Sequence, residues 1–175
     1  MVSVRNMPFV IAAFAFGGGT GVAIAQAPAP AVVQAAPAVP QYGESVNLEQ
    51  ARRAIAAAVA EARRINVPMA VAVVDTSGSL VAFEKMDNTQ TASIVVAQNK
   101  AVSAAMYRRP TKAFQDALAA GGANLRILTL PNASAVEGGV PLTQGGRIIG
   151  AIGVSGGSPD QDSAVAAGGV AGIGR

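Results

Sequence analysis

The chain has 175 residues, a formal net charge of +3, and neither histidine nor cysteine. This length predicts one domain, and the missing side chains exclude imidazole and thiolate chemistry and disulfide bonds. The basic residues come in separated pairs and not in one tract, which argues against a nucleic-acid partner because such binding needs a concentrated basic face.

The first 25 residues have the pattern of a secretory signal peptide. Arg5 supplies a positive start, residues 7–16 are mostly apolar, and residues 23–25 form a small-x-small cleavage site. Glycines at 17–21 interrupt the apolar run well before the roughly 20 residues that a membrane span needs. We therefore expect cleavage, no stable membrane span afterwards, and a periplasmic or secreted mature protein.

Residues 26–46 are rich in alanine and proline, a composition that favours an extended linker over packed structure. The domain predicted at 47–175 begins with a helix, because Asn47 and Gln50 match a capping box and apolar residues follow at helical spacing. This helix is expected to end before Pro68.

The later elements are predicted from the spacing of apolar residues and from the glycines and prolines at their ends. We expect strands at 69–75 and 80–83, helices at 89–107 and 111–120, strands at 125–130, 140–143 and 148–154, and a helix capped by Ser158. The inner face of the long helix is assigned to Ile94, Val95, Ala97, Ala101, Val102, Ala105 and Met106. Consecutive hairpins predict an α/β fold of the α+β type, in which helices flank an antiparallel sheet.

Three segments together resemble the GlcG/HbpS family of haem-binding domains, to which haem degradation is also ascribed. They read VAVVDTSGSLVAFEKMD at 71–87, AQNKA and RPT between 97 and 111, and GGVPL and GAIGVSGGSPDQD between 138 and 162. The resemblance covers about 47–173. It implies a profilin-like fold, a tendency to form homo-oligomers and, for some members, binding of haem or a related tetrapyrrole.

One candidate ligand site follows the long helix, where Tyr107 precedes Arg108 and Arg109. A tyrosinate can ligate ferric haem, and arginines can pair with its propionates. Alternatively, the tyrosine caps the helix end and the arginines interact with the helix dipole. Any bound haem lacks an axial histidine or cysteine from this chain.

A second candidate is the turn before the last helix, formed by Ser155, Gly156, Gly157 and Ser158. Backbone N–H groups at a helix start suit a carboxylate or phosphate. The alternative is that Asp160 and Asp162 satisfy the same groups from within the fold.

Lys100 is a third candidate, because it lies mid-helix among small and apolar residues. A partly buried ammonium can anchor an anionic ligand. The alternative is a lysine whose stem is buried while its ammonium reaches water at the helix edge. Asp75 and Glu137 are candidate partners that the sequence does not place.

Three functions remain open at this point. The first is an exported, oligomeric binding protein for haem or a related anionic tetrapyrrole, held by Lys100, Arg108 and Arg109. The second is an enzyme or sensor acting on a small organic acid, with Lys100 and Glu137 as polar groups and the Ser155–Ser158 turn binding the carboxylate. The third is a structural accessory domain without ligand. No protein-ligated metal site is predicted.

Overall fold

The computed structural model describes residues 38–174; the predicted signal peptide and most of the predicted linker lie outside them. The helices are α1 (Leu48–Arg64), α2 (Ser93–Tyr107), α3 (Lys112–Ala119) and α4 (Pro159–Ala171), with a 3-10 helix at Gly122–Thr129. The strands are β1 (Ala70–Val74), β2 (Leu80–Lys85), β3 (Gly139–Gln144) and β4 (Arg147–Ser155).

The four strands form one antiparallel sheet in the order β2-β1-β4-β3. One face packs against α1 and α4, and the other packs against α2. This arrangement confirms the predicted α+β class. It also explains why β1 and β4 are almost entirely apolar, because both of their faces are covered.

The predicted capping box at Asn47 and the predicted Ser158 cap are confirmed. The Asn47 side chain accepts a hydrogen bond from the Gln50 amide at 2.9 Å, and the Gln50 side chain accepts one from the Asn47 amide. Ser158 and Gln161 repeat the arrangement at the start of α4. Each box satisfies backbone donors that the helix itself leaves unpaired.

The strand predicted at 125–130 is wrong, because this segment belongs to the 3-10 helix. Its apolar residues before Pro131 suggest a strand, yet only Ile127 is buried, while Leu125 and Leu128 are 53% and 69% exposed. No described strand pairs with this segment, so its apolar side chains cover no sheet.

The predicted inner face of α2 is wrong at Val95 and Met106, which are 60% and 44% exposed. The side of α2 that meets the sheet consists mainly of alanine and serine, together with Lys100. The facing strands contribute mostly alanine, so helix and sheet lie close together. Small residues therefore face inward and larger apolar ones outward, which reverses the usual expectation from size.

Residues 41–46, which fall within the predicted linker, form a packed segment that we call the strap. Its Gln41 carbonyl accepts a hydrogen bond from the Ile148 amide at 2.9 Å, and its Gly43 amide donates to the Ile148 carbonyl at 2.8 Å. The strap thus runs beside the start of β4, beyond the last residues that β1 pairs. Val46 at its end is buried in the core.

Asp75 organises the turn between β1 and β2. Its Oδ1 accepts hydrogen bonds from the Ser77 amide, the Ser77 hydroxyl and the Ser79 amide at 2.7–3.0 Å. Burial alone would raise the pKa of Asp75, but these hydrogen bonds together hold it below the ordinary value. The stabilisation that these hydrogen bonds give the folded protein is therefore present above the ordinary carboxyl pKa. It is lost as the pH falls through the lower pKa that Asp75 has in the folded state.

We expect Asp75→Asn to lose about 1 kcal/mol of stability near neutral pH, because an amide oxygen is a weaker acceptor than a carboxylate. The variant should also lose less stability than the parent between about pH 5 and 3. Urea unfolding at several pH values measures both effects. The exposed Asp87→Asn is the control, and identical acid sensitivity in Asp75→Asn and the parent would contradict the assignment.

Candidate functional site

Lys100 forms a buried ion pair with Asp162. Its Nζ lies 2.6 Å from Asp162 Oδ2 and donates to the Val154 carbonyl at 3.0 Å. The two side chains are only 1% and 4% exposed. The pair joins α2, β4 and α4, and its ammonium does not reach water at the helix edge.

The Ser155–Ser158 turn has its polar groups satisfied from within. The Gly157 amide donates to Asp162 Oδ1 at 2.9 Å, and the Ser158 amide donates to Gln161 Oε1 at 2.9 Å. The buried Ser155 hydroxyl lies 3.1 Å from that of Ser93. Burial raises the pKa of Asp162, although hydrogen bonds from Lys100 and Gly157 act in the opposite direction. The internal alternative for this turn is therefore the one that the structure contains.

Two glycines let the backbone close over this ion pair. A Cβ on Gly138, whose φ is +115°, would lie 3.0 Å from Lys100 Nζ and 2.8 Å from Asp162 Cβ. A Cβ on Gly139 would collide with the Lys100 carbonyl. The second and third segments of the sequence resemblance thus meet at one buried charge pair.

Glu137 is buried but does not pair with Lys100. Its Oε2 lies 3.5 Å from Lys112 Nζ and has no hydrogen-bond partner among the described residues. Its amide donates to Gln115 Oε1 at 3.0 Å. Of the two partners considered for Lys100, Asp75 lies in the hairpin turn and Glu137 beside α3.

The C-terminal end of α2 brings together the other candidate residues. The Tyr107 hydroxyl donates to the Pro131 carbonyl at 2.7 Å. Its ring meets the Phe114 ring edge to face, with centroids 5.1 Å apart. Arg108 ends the helix in a left-handed conformation, with φ at 53°.

Each arginine lies over an aromatic ring. Arg108 Cζ is 5.4 Å from the centre of the Tyr42 ring, and Arg109 Cζ is 5.6 Å from that of Phe114. Arg109 Nε also donates to the Tyr107 carbonyl at 3.2 Å. Within residues 38–174 neither guanidinium has a carboxylate partner, so most of their N–H donors remain free for an anion.

Tyr42, which the sequence makes a weaker candidate than Tyr107 because it lies in or near the predicted linker, is carried by the strap to this helix end. Its hydroxyl lies 2.9 Å from the Ala105 carbonyl and 3.2 Å from the Met106 carbonyl. These carbonyls belong to the last turn of α2, where a helix leaves acceptors without i+4 partners, although the Ala105 carbonyl also accepts the Arg108 amide at 3.3 Å. The parallel bridge between Tyr42 and Ile148 is a long-range contact that no local sequence pattern predicts.

Exposed apolar side chains occur close to Tyr107 in the chain or in the fold. Met106 is 44% exposed, and Asn132 Nδ2 lies 3.8 Å from its sulfur. Leu130, at 38% exposed, immediately precedes Pro131, to which Tyr107 is bonded, and Leu128, at 69% exposed, lies two residues before Leu130. A small cavity of about 150 Å³ lies nearby between Asn99, Val102, Asn132 and Ala133.

A more voluminous groove lies elsewhere. It has a volume of about 540 Å³ between α1 and α4, on the opposite side of the sheet from α2. Its floor is formed by alanines and glycines, and the two nearby guanidiniums, of Arg53 and Arg64, pair with Glu49 and Glu61. We therefore assign the candidate site from the unpaired charges at the end of α2 and not from cavity size.

The described residues were also compared with the requirements of a metal site and of a membrane-spanning helix. Residues 38–174 contain no cluster of three or more histidine, cysteine, aspartate or glutamate side chains placed to hold a metal ion. In the same part of the chain, every helix is too short or too polar to cross a bilayer.

Comparison with known proteins identifies related structures and sequences. Protein GlcG of Escherichia coli K12 is 37% identical over 107 residues, which are 61% of this chain and 78% of that protein. Klebsiella pneumoniae protein ORFY has a TM-score of 0.72 and 27% identity, covering 80% of this chain and 98% of ORFY.

A complex of PduOC with heme has a TM-score of 0.67 and 28% identity, covering 74% of this chain and 95% of that one. The family described as haem-degrading protein HbpS-like matches residues 46–171, a range that includes every helix and strand given above. The chain therefore belongs to the HbpS-like family.

Proposed function

We propose that this protein binds haem or a related anionic tetrapyrrole at the C-terminal end of α2. The observation that carries the proposal is the pair Arg108 and Arg109, whose guanidiniums pack on aromatic rings and have no carboxylate partner in the described chain. Arginine suits carboxylates because its planar fork donates two parallel hydrogen bonds. The heme complex of a relative with the same fold supports this ligand class.

The surroundings of the arginines suit the rest of such a ligand. A tetrapyrrole combines a flat apolar ring with carboxylates at one edge. Met106 and Leu130 supply exposed apolar surface close to Tyr107, because Met106 precedes Tyr107 in α2 and Leu130 precedes the Pro131 to which Tyr107 is bonded. Burial of that surface would contribute roughly 25 cal/mol per Å² removed from water, so the ring would gain contact while its acid groups meet Arg108 and Arg109.

The side chains of this site fit the acid edge of haem better than its iron. The chain has no histidine or cysteine, and the Tyr107 and Tyr42 hydroxyls already donate to carbonyls. When bound, haem would supply a redox-active iron. The protein's own contribution would be to hold and orient the carboxylates, with Lys100 serving the fold through Asp162.

Replacing both arginines, as Arg108→Gly with Arg109→Ala, should weaken haemin binding about tenfold or more, because well-formed charge-assisted contacts contribute about 1.5–3 kcal/mol each. Glycine suits the positive φ of position 108, so this change separates binding from folding. Tyr107→Phe should have a smaller effect. Absorbance titration with haemin measures the affinities.

Two controls sharpen this test. Arg63→Ala removes an exposed arginine from α1, across the sheet from the site, and should leave haemin affinity unchanged. Haemin dimethyl ester, which lacks free carboxylates, should bind the parent and the double variant equally. If Tyr107→Phe abolishes binding while the double arginine change is silent, a tyrosinate ligand replaces the proposal; no saturable binding by the parent would refute it.

We further propose that the mature protein is exported and forms homo-oligomers. The signal-like residues 1–25 support export. Exposed Leu125, Leu128 and Val95 support self-association, because large exposed apolar side chains gain from burial against a second copy. Intact mass and light scattering of periplasmic material should give a chain starting at or near Gln26 and a species larger than a monomer. Membrane-bound full-length chain, or a monomer at micromolar concentration, would contradict the respective part.

The alternative function, chemistry on a small organic acid, has less support. It required Lys100 and the Ser155–Ser158 turn to face the substrate, but Asp162 bonds both the Lys100 ammonium and the Gly157 amide. Glu137 keeps an unpartnered oxygen, yet only Lys112 among the described cations lies within ion-pair distance of it.

A further inference from the structure

Tyr42 connects the strap to the C-terminal end of α2, two parts of the fold that are far apart in the sequence. The strap holds Tyr42 in place through backbone hydrogen bonds to Ile148. Its hydroxyl is anchored on the Ala105 and Met106 carbonyls, so the ring is fixed at both ends. Arg108 then lies over this fixed ring at 5.4 Å.

The contact with Tyr42 does not use up the acceptor-binding capacity of Arg108, because no carboxylate of the described residues pairs with its guanidinium. Hydrogen bonds to a ligand carboxylate would use its N–H groups. A flexible arginine loses side-chain entropy on binding an anion, and a guanidinium whose position is already restrained by the Tyr42 ring loses less.

We propose that Tyr42 is a positioning residue of the anion site, whose ring pre-orders Arg108 for the carboxylate of the ligand. The inference rests on the proposed function, because it takes Arg108 as a ligand contact. Tyr42 itself is not a candidate iron ligand, since a phenolate at this position would face the carbonyl oxygens that now accept its proton.

Two variants separate the ring from the hydroxyl. Tyr42→Phe keeps the ring and removes the helix cap, so it should lower the unfolding midpoint while changing haemin affinity less than about twofold. Tyr42→Leu removes the ring as well and should weaken haemin binding about three- to fivefold, which corresponds to the usual strength of an exposed cation–π contact.

A double-mutant cycle with Arg108→Gly tests whether Tyr42 acts through the arginine. In the Arg108→Gly background, Tyr42→Leu should change haemin affinity less than about 1.5-fold, although it still lowers thermal stability. A merely structural role would instead lower affinity equally in both backgrounds.

The outcomes distinguish the inference from the function on which it rests. Additive effects of Tyr42→Leu and Arg108→Gly, or equal losses of affinity in Tyr42→Phe and Tyr42→Leu, overturn the positioning role while the binding function stands. Failure of the parent protein to bind haemin saturably overturns both.

Discussion

Asp162→Ala is expected to destabilise the protein by about 3–5 kcal/mol, because it leaves the Lys100 ammonium buried without a counter-charge. The substitution also removes the acceptor of the Gly157 amide at the start of α4. A domain of this size is typically stable by about 5–15 kcal/mol, so the variant should be close to unfolding at 37 °C. Urea denaturation at 25 °C measures the loss.

The double variant Lys100→Met with Asp162→Asn provides the decisive comparison. It removes both charges, keeps an acceptor for Gly157 and replaces lysine by an apolar side chain of similar length, so it should cost much less than Asp162→Ala. Glu49→Ala breaks an exposed pair with Arg53 and should cost less than about 1 kcal/mol. A double variant as unstable as the single one would show that the buried charge is not the cause.

The helix caps, the hairpins and the α+β class could be predicted because they depend on neighbouring residues. Asn47 and Gln50 lie three positions apart, and the turn at 144–147 lies between two apolar runs. The Lys100–Asp162 pair could not be predicted in the same way, because its partners are 62 residues apart. The sequence indicates Asp162 only as a partner of the helix start, and one of its oxygens fills that role while the other binds Lys100.

The errors in α2 and in the 125–130 segment share a physical origin. Apolar patterns predict burial on the assumption that large side chains face the core. Here alanines form the contact between α2 and the sheet, and leucines and Met106 remain exposed. The arginine site could be proposed from the adjacent Arg108 and Arg109, but Tyr42 could not, because only the tertiary path of the strap brings it there.

Gly153→Ala is expected to cost about 3 kcal/mol or more, which places it at the upper end of overpacking substitutions. Gly153 lies in β4 directly under α2, and a Cβ there would collide with the Ala97 carbonyl and the Ala101 amide. Both are backbone atoms, so no side-chain rotation relieves the overlap. The reduced freedom of alanine in the unfolded chain would offset at most about 1 kcal/mol.

Gly168→Ala is the matched control, because it makes the same chemical change in α4, where the new methyl group would lie 3.0 Å from Glu61 Cβ and overlap no backbone atom. It should cost less than about 1 kcal/mol, since the preference of alanine over glycine in a helix, about 1 kcal/mol, offsets this close contact. To relieve the overlap at Gly153, α2 has to move away from the sheet. Lys100 lies in the same part of α2 as Ala97 and Ala101, so this movement also stretches its hydrogen bond to the Val154 carbonyl. Gly153→Ala should therefore lower haemin affinity as well as stability, by displacing the helix end that carries Arg108. If the two alanine variants are equally stable, α2 does not approach β4 at Gly153 as closely as the structure indicates.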